Sequence, residues 1–264
     1  MLANRRATAR SVVREKRYGR AERMSSTGPG PGRGSVGTAG FVLTRRSVLL
    51  SSLWPAVGLE QLSDRYAEHN RDERGAGFVF AGAERVELFR RYVGGPGRRV
   101  LDLGCRDGAL TQAYAGGNEI VGVDADRAAL AEAKKLGIET HWADLDEPLP
   151  FENSDFDVIV AGELLEHLRD PRRVVADVQR VLRPGGTFVA SVPNAYRLKN
   201  RARFLLGRKP EDDPTHLQMF APADVRALLA GFDDPQLHFI AGRLVPLHAR
   251  LFANDIVFSG RKPR

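Results

Sequence analysis

Val100-Leu101-Asp102-Leu103-Gly104-Cys105-Arg106-Asp107-Gly108 decides how this chain folds. Residues 99–103 are a short apolar run of the kind a strand buried on both faces needs. Two glycines follow, and residues 109–115 read as a helix. Glycine lacks a Cβ and tolerates positive φ, so a strand–loop–helix passage built this way can bring bare backbone against a ligand. The same alternation continues outward. Residues 120–123 form a second strand ending at Asp124, then a helix over 127–136 is closed by Gly137. Strands are predicted at 138–142 and 156–161, and Pro171 starts a helix that runs to 182. Pro184-Gly185-Gly186 turns the chain into a fifth strand, 187–192; Pro222 opens a helix to 230, and strands at 237–241 and 255–259 complete the set. Ahead of the opening stretch, 84–92 has helical periodicity with Val86, Phe89 and Val93 on one face, ended by Gly94-Gly95-Pro96-Gly97.

Strands and helices alternating at these lengths predict an α/β fold: a Rossmann-like, doubly wound, seven-stranded, mostly parallel sheet with helices on both faces. The predicted division is a basic Gly/Pro/Arg-rich disordered tail over 1–60 and one domain over 61–264. Residues 1–46 hold eleven Arg or Lys against two acids, while the remainder holds 29 bases and 31 acids. The overall charge of +7 therefore belongs to the tail. A nearly neutral domain argues against a nucleic-acid footprint. No apolar run reaches the length of a membrane span. Arg45-Arg46 is similar to a twin-arginine export signal, but the apolar run after it is short and lacks a small-x-small cleavage site. The expected location is the cytoplasm. Cys105 is the single cysteine, which excludes an intrachain disulfide and a cysteine-based metal cluster. No metal site is expected.

Two cofactor types compete for the loop at 104–108. A dinucleotide needs a pyrophosphate seat with G-x-G-x-x-G spacing, which this loop lacks. Asp102 at the strand end would repel a pyrophosphate. It suits a ligand that carries an ammonium group, and S-adenosylmethionine carries one beside a cationic sulfonium. Asp124, about 20 residues on, stands where an acid grips ribose hydroxyls.

The stretch 100–108 resembles the glycine-rich motif of class I S-adenosylmethionine-dependent methyltransferases, with Arg106 where the middle glycine usually stands. Val121-Gly122-Val123-Asp124 resembles the second motif and Ala143-Asp144-Leu145 the third. The segments 150–159, Leu165-Glu166-His167-Leu168 and Val181-Leu182-Arg183-Pro184-Gly185-Gly186 continue the series in order. The resemblance covers about residues 80–260. It implies that Asp102, Gly104 and Gly108 hold the methionine end of S-adenosylmethionine. Asp124 would bind the ribose, Asp144 the adenine amino group, and Leu145 would supply a backbone N–H.

Methyl transfer to a hydroxyl requires alignment and removal of a proton. His167, His216 and Glu163 are the candidate catalytic residues. The Asn/Asp-Pro-Pro-Tyr signature of base and amide N-methyltransferases is missing after the fourth strand, where Ala161-Gly162-Glu163-Leu164 stands, so an oxygen or carbon acceptor is favoured. An insertion at 194–216 carries Arg197, Lys199, Arg201, Arg203, Arg208 and Lys209 and resembles the corresponding stretch of methionine-biosynthesis W-type and ubiquinone O-methyltransferase-like proteins. The leading expectation is O-methylation of a small molecule: a glycan, a lipid-linked or a quinone-like acceptor. The alternatives are a regulatory subunit of the W type beside a protein partner, an RNA methyltransferase and, weakest, a nicotinamide-dependent reductase. Homo-oligomer formation is left open.

Overall fold

The structure, a computed structural model, describes residues 58–69, 71, 82–210, 213 and 215–264. The expectations for the basic tail and for Arg45-Arg46 lie outside the described residues. Seven strands form one sheet: β1 (Arg99–Leu103), β2 (Glu119–Asp124), β3 (Glu139–Trp142), β4 (Phe156–Gly162), β5 (Leu182–Pro193), β6 (Asp233–Ile240) and β7 (Asp255–Arg261). Their order is β3-β2-β1-β4-β5-β7-β6. β1 to β5 pair in parallel, and β7 runs antiparallel between β5 and β6. The expected fold class is thus observed. The strand order reverses between β1 and β4, and ligands of open α/β sheets bind outside the carboxyl ends of the strands at such a switch point.

Alternate strand residues face opposite sides, which splits the core in two. Leu101, Leu103, Val121, Val123 and Ile159 pack on one face with Val174, Val175 and Val178 of helix α5 (Pro171–Val181) and Val225 of α7 (Pro222–Leu228). Val100, Ile120, Val158 and Val160 pack on the other with Phe89 and Val93 of α2 (Gly82–Val93), Tyr114 of α3 (Gln112–Ala115) and Ala133 of α4 (Arg127–Lys135). Phe89 and Phe188 have no exposed surface, and burying each contributes about 1.5–3 kcal/mol. Asp126 caps α4 by accepting from Ala128 and Ala129 N–H, and Asp170 caps α5 ahead of Pro171.

Several elements differ from their sequence expectation; β6 begins at Asp233 rather than 237, and a short helix, α8 (Ala249–Phe252), was not expected. α3 begins at Gln112 rather than 109, because residues 108–111 close the glycine loop in turns. β5 begins at Leu182 rather than 187. Phe156 pairs with Leu182 and Val158 with Thr187, so Pro184-Gly185-Gly186 is a bulge inside the strand. A Cβ on Gly186 would lie 2.8 Å from the Arg183 carbonyl oxygen, which is why glycine stands there. The 194–216 insertion contains a helix, α6 (Leu198–Leu205). Last, α1 (Leu59–His69) precedes the expected start of regular structure near 62. Its inward face is Leu59, Leu62, Ser63 and Tyr66.

Candidate active site

The glycine loop leaves β1 and is tied to the end of β2, with Gly104 N–H donating to the Val123 carbonyl at 2.8 Å. Gly104 and Gly108 have φ of +73° and +79°. Arg106 has φ of 49°. The arginine therefore takes the left-handed backbone that glycine would take, and the loop keeps its turn. Arg106 N–H donates to Asp124 Oδ2 at 2.9 Å. The second oxygen of Asp124 accepts from Asp126 N–H at 2.8 Å. Asp124 is thus oriented at the lip of β2; burial raises its pKa, opposed by these two backbone donors. The Val-Gly-Val-Asp sequence has a packing reason as well. A Cβ on Gly122 would meet Cys105 Sγ at 2.6 Å. Cys105 is buried, and burial pushes its thiol up, so it fills space as a neutral side chain.

Asp102 is 4% exposed at the end of β1. Its Oδ2 accepts from Thr111 Oγ1 at 2.5 Å and Tyr114 Oη at 2.6 Å. Burial pushes Asp102 up to about 6, against the pull of those two hydrogen bonds. Both partners are neutral hydroxyls, so a cationic ligand group complements this carboxylate. Asp144, past the end of β3, accepts from Asp146 N–H at 2.9 Å and lies 3.5 Å from the Arg169 guanidinium. Leu145 is buried, and its carbonyl accepts from Arg173 at 3.0 Å. The three acids consequently stand at the carboxyl ends of adjacent strands β1, β2 and β3.

α1 covers this row. Ser63 Oγ accepts from Arg127 N–H at 3.2 Å. The Tyr66 hydroxyl is pushed up to about 12, first by burial and then by the charges of Asp124, Asp146 and Asp144, with Arg65 opposing. Tyr66 also lies edge-on to His167, ring centres 6.2 Å apart.

His167 stands on a single 3₁₀ turn (Leu165–His167) after β4. Its Nδ1 is 3.2 Å from the Thr215 carbonyl and 3.1 Å from Thr215 Oγ1. The Thr215 hydroxyl donates to Asp213 at 2.6 Å, and Asp213 in turn reaches His69 of α1 at 3.1 Å. His216 packs against His167 with ring centres 4.8 Å apart. The structure therefore brings His167 and His216, 49 residues apart in the chain, together. Glu163 is directed elsewhere: it pairs with Arg85 at 3.0 Å, and Arg85 also bonds Asp255 at 3.1 Å. Burial, then the Glu163 charge, pushes Asp255 up to about 7, with Arg85 opposing.

Sequence reasoning missed Tyr66, Arg85, Glu166, Thr215 and Asp255. Arg85 had a signal: it occupies the same helical stripe as Phe89 and Val93, and a charge on an apolar face marks a buried partner. It displaces Val86, which is only half-buried. Glu166 lies within the quoted Leu-Glu-His-Leu and is 1% exposed. The partners of Tyr66 are too distant in sequence for any local signal.

A seven-stranded sheet of this order, with a glycine loop and strand-end acids at its switch point, defines a Rossmann-like enzyme fold of the methyltransferase class. Residues 101–190 match the family model described as a methyltransferase domain. The chain is 32% identical to the ubiquinone biosynthesis O-methyltransferase of Pseudomonas putida, over 54% of this chain and 67% of that protein. It is 34% identical to a Mycolicibacterium smegmatis protein named as a probable S-adenosylmethionine-dependent methyltransferase, over 52% of each. The crystal structure of a SAM dependent methyltransferase from Archaeoglobus fulgidus superposes with a TM-score of 0.58 at 18% identity, over 75% of this chain and 99% of that one, and so shares the fold. The chain belongs to the S-adenosylmethionine-dependent methyltransferase family. It spans about half the length of the first curated relatives it matches.

Proposed function

We propose that this protein transfers the methyl group of S-adenosylmethionine to a hydroxyl of a small apolar acceptor, lipid-linked or quinone-like, and that it works in the cytoplasm. The observation that carries this reading is the placement of Asp102, Asp124 and Asp144 along one sheet edge, with the His167–His216 pair at the end of the next strand, β4. The catalytic domain in this reading is residues 61–264, with 194–216 as the insertion that meets the acceptor.

The bound cofactor supplies an electrophilic methyl on a cationic sulfur. Asp102 holds the cationic methionine end, Asp124 the ribose hydroxyls and Asp144 the adenine edge, with Leu145 N–H beside it. Gly104 and Gly108 supply the positive φ that turns the loop back under the ligand, and a Cβ at Gly108 would strike Ile138 at 2.7 Å. Oxygen as the acceptor atom is supported by the O-methyltransferase relative and by Ala161-Gly162-Glu163-Leu164 at the end of β4. An apolar acceptor is supported by Leu205 and Leu206, 89% and 69% exposed at the end of α6, with Phe204, Leu217 and Met219 exposed nearby in sequence. Arg106 retains a glycine-like φ, which supports an intact cofactor loop over a purely regulatory subunit.

Calorimetric titration of the full chain with S-adenosylmethionine, with NAD as the control, tests the reading. Micromolar binding of S-adenosylmethionine alone, weakened at least tenfold by Asp124→Ala, is expected. No binding by the wild-type chain would refute it. A screen of hydroxylated acceptors follows.

A further inference from the structure

A cavity of about 280 Å³ opens between the last turn of α2 and strands β5, β7 and β6. Thr187, in its wall, pairs with Val158 near the start of β4. The cavity thus lies toward the amino ends of the parallel strands, away from Asp102, Asp124 and Asp144. Strand alternation explains its lining. Phe188 and Phe258 belong to one core face, and Val189 and Val257 to the face that α2 covers. Thr187, Ser259 and Arg261 therefore stand on the α2 face, beyond the last valines. Gln236 joins them, because it pairs with Ser259. The apolar row under α2 ends in a polar one, and Arg91 of α2 faces it across the cavity. Ser259 is 1% exposed, and among the described residues its hydroxyl has no hydrogen-bond partner. Arg91 and Arg261 are exposed, and among the described residues neither guanidinium has an ion-pair partner. A helix end favours a cation in its last turn, which accounts for Arg91 but not for Arg261 on the facing strand. β6 bulges between Asp233 and Gln236, with Asp234 at a φ of 50° on the cavity wall. Bulges recur where a strand re-aims its side chains beside a site.

We propose that this cavity binds the phosphate monoester of a small hydroxylated molecule, with Arg91 and Arg261 on the phosphate. Two guanidiniums match the charge of a phosphate dianion, and their planar forks match its oxygens. Ser259, Thr187 and Gln236 supply neutral donors, and Asp234 accepts from ligand hydroxyls. The volume stands at the small end of ligand cavities, which run to roughly 300–1,000 Å³. The site also has a place in the frame of the fold. α2 carries Arg85 and Arg91, and β7 runs from Asp255 to Arg261. Arg85 ties these two elements together at the end of the sheet that carries the three acids. A ligand held by Arg91 and Arg261 ties them together at the other end. His238 reports on the cavity: its Nε2 is 2.6 Å from the Tyr92 hydroxyl, and Tyr92 lines the wall. Burial, then the charge of Arg91, holds its imidazole below the ordinary value. A bound dianion offsets that charge and raises it.

The test titrates the full-length chain by calorimetry in a chloride buffer, without S-adenosylmethionine. The probes are inorganic phosphate and sn-glycerol 3-phosphate, with glycerate and glycerol as parallel arms. Saturable binding of one equivalent of either phosphate is expected, at least tenfold tighter for the ester, with glycerate at least tenfold weaker than the ester and no heat from glycerol. Arg91→Gln and Arg261→Gln each weaken the ester at least tenfold, the scale of one lost charge-assisted hydrogen bond. Arg172→Gln, an equal loss of charge on α5 across the sheet, leaves binding unchanged and so separates the cavity from the basic residues 1–46. Thermal unfolding without ligand checks that the variants are folded, and the ester raises the melting temperature of the wild-type chain. The His238 ring resonance, assigned by its loss in His238→Gln, titrates at higher pH with the ester bound. Absence of saturable binding by both phosphates, equal binding in folded Arg91→Gln and Arg261→Gln, or an unmoved His238 titration would overturn the site. Glycerate binding as tightly as the ester would overturn the phosphate assignment.

Discussion

Arg85→Met is the sharpest test of how the site is anchored. Arg85 is 2% exposed and bridges Glu163, at the end of β4, to Asp255, at the start of β7. Methionine keeps much of the volume and removes the charge. Two carboxylates then share a buried space with only the weaker pull of Arg197 on Asp255 left, and breaking a buried pair in this way costs about 3–5 kcal/mol. For a domain of this size that corresponds to a fall in melting temperature of about 6–20 °C. The pH dependence gives the cause. In the native protein Asp255 titrates at about 7 rather than its ordinary 3.8. An acid with a raised folded pKa lets the folded state hold more protons, so its stabilising effect is present at low pH and is lost as pH rises from about 4 to 7. Removing Arg85 removes the charge that holds this value down, so the loss extends to higher pH in the variant. Melting curves at pH 5 and pH 8 check the sign. The gap between wild type and variant widens at pH 8 and narrows at pH 5, where Asp255 is protonated in both. An equal gap at both pH values, or a cost below about 1 kcal/mol, would show that the Arg85 charge is not what joins β4 to β7.

Two further substitutions probe the glycine loop and the strand it packs on, β2. Arg106→Gly removes a side chain from a left-handed position that costs an L-residue roughly 1–2 kcal/mol, against about 0.5–1 kcal/mol of added chain entropy. Denaturant melts will show stability unchanged or raised by up to ~1 kcal/mol, and S-adenosylmethionine affinity retained; a loss of affinity would mean that the arginine side chain itself serves the ligand. Gly122→Ala drives a methyl to 2.6 Å from Cys105 Sγ and 3.0 Å from Ile138, an overpacking that costs about 1–3 kcal/mol. Cys105→Ala in the same chain recovers part of that cost, and a double-mutant cycle with no coupling would refute the contact.

What was legible in the sequence follows the distance over which each feature is specified. The loop at 104–108, the acid at 124 and the acid at 144 each lie within a few residues of the strand that carries them. Periodicity and glycine chemistry place them without knowledge of the rest of the fold. The bulge at 184–186 was half legible: Pro-Gly-Gly marked a break, but only pairing with β4 shows that the strand resumes through it. α1 was missed although Leu59, Leu62, Ser63 and Tyr66 follow helical spacing, because most of its other positions are charged or polar.

The candidate reaction centre lies at the other extreme. The His167–Thr215 contact spans 48 residues and the Arg85–Asp255 contact 170. Local reading treated His167, His216 and Glu163 as three comparable bases, since all three are titratable and lie near strand ends. The contacts divide them. Glu163 is neutralised by Arg85 and belongs to the brace between β4 and β7. His167 is fixed in one tautomer by Thr215, and that same segment carries His216 toward Glu166. Asp213, two residues before Thr215, reaches back to His69 at the end of α1, the helix whose Tyr66 feels the charges of Asp124, Asp146 and Asp144. The chain from Tyr66 through His69, Asp213 and Thr215 to His167 thus joins the strand ends that carry Asp124 and Asp144 to the turn after β4. A residue's chemistry at this site is set by which of these partners it meets, and residue type alone carries no record of that.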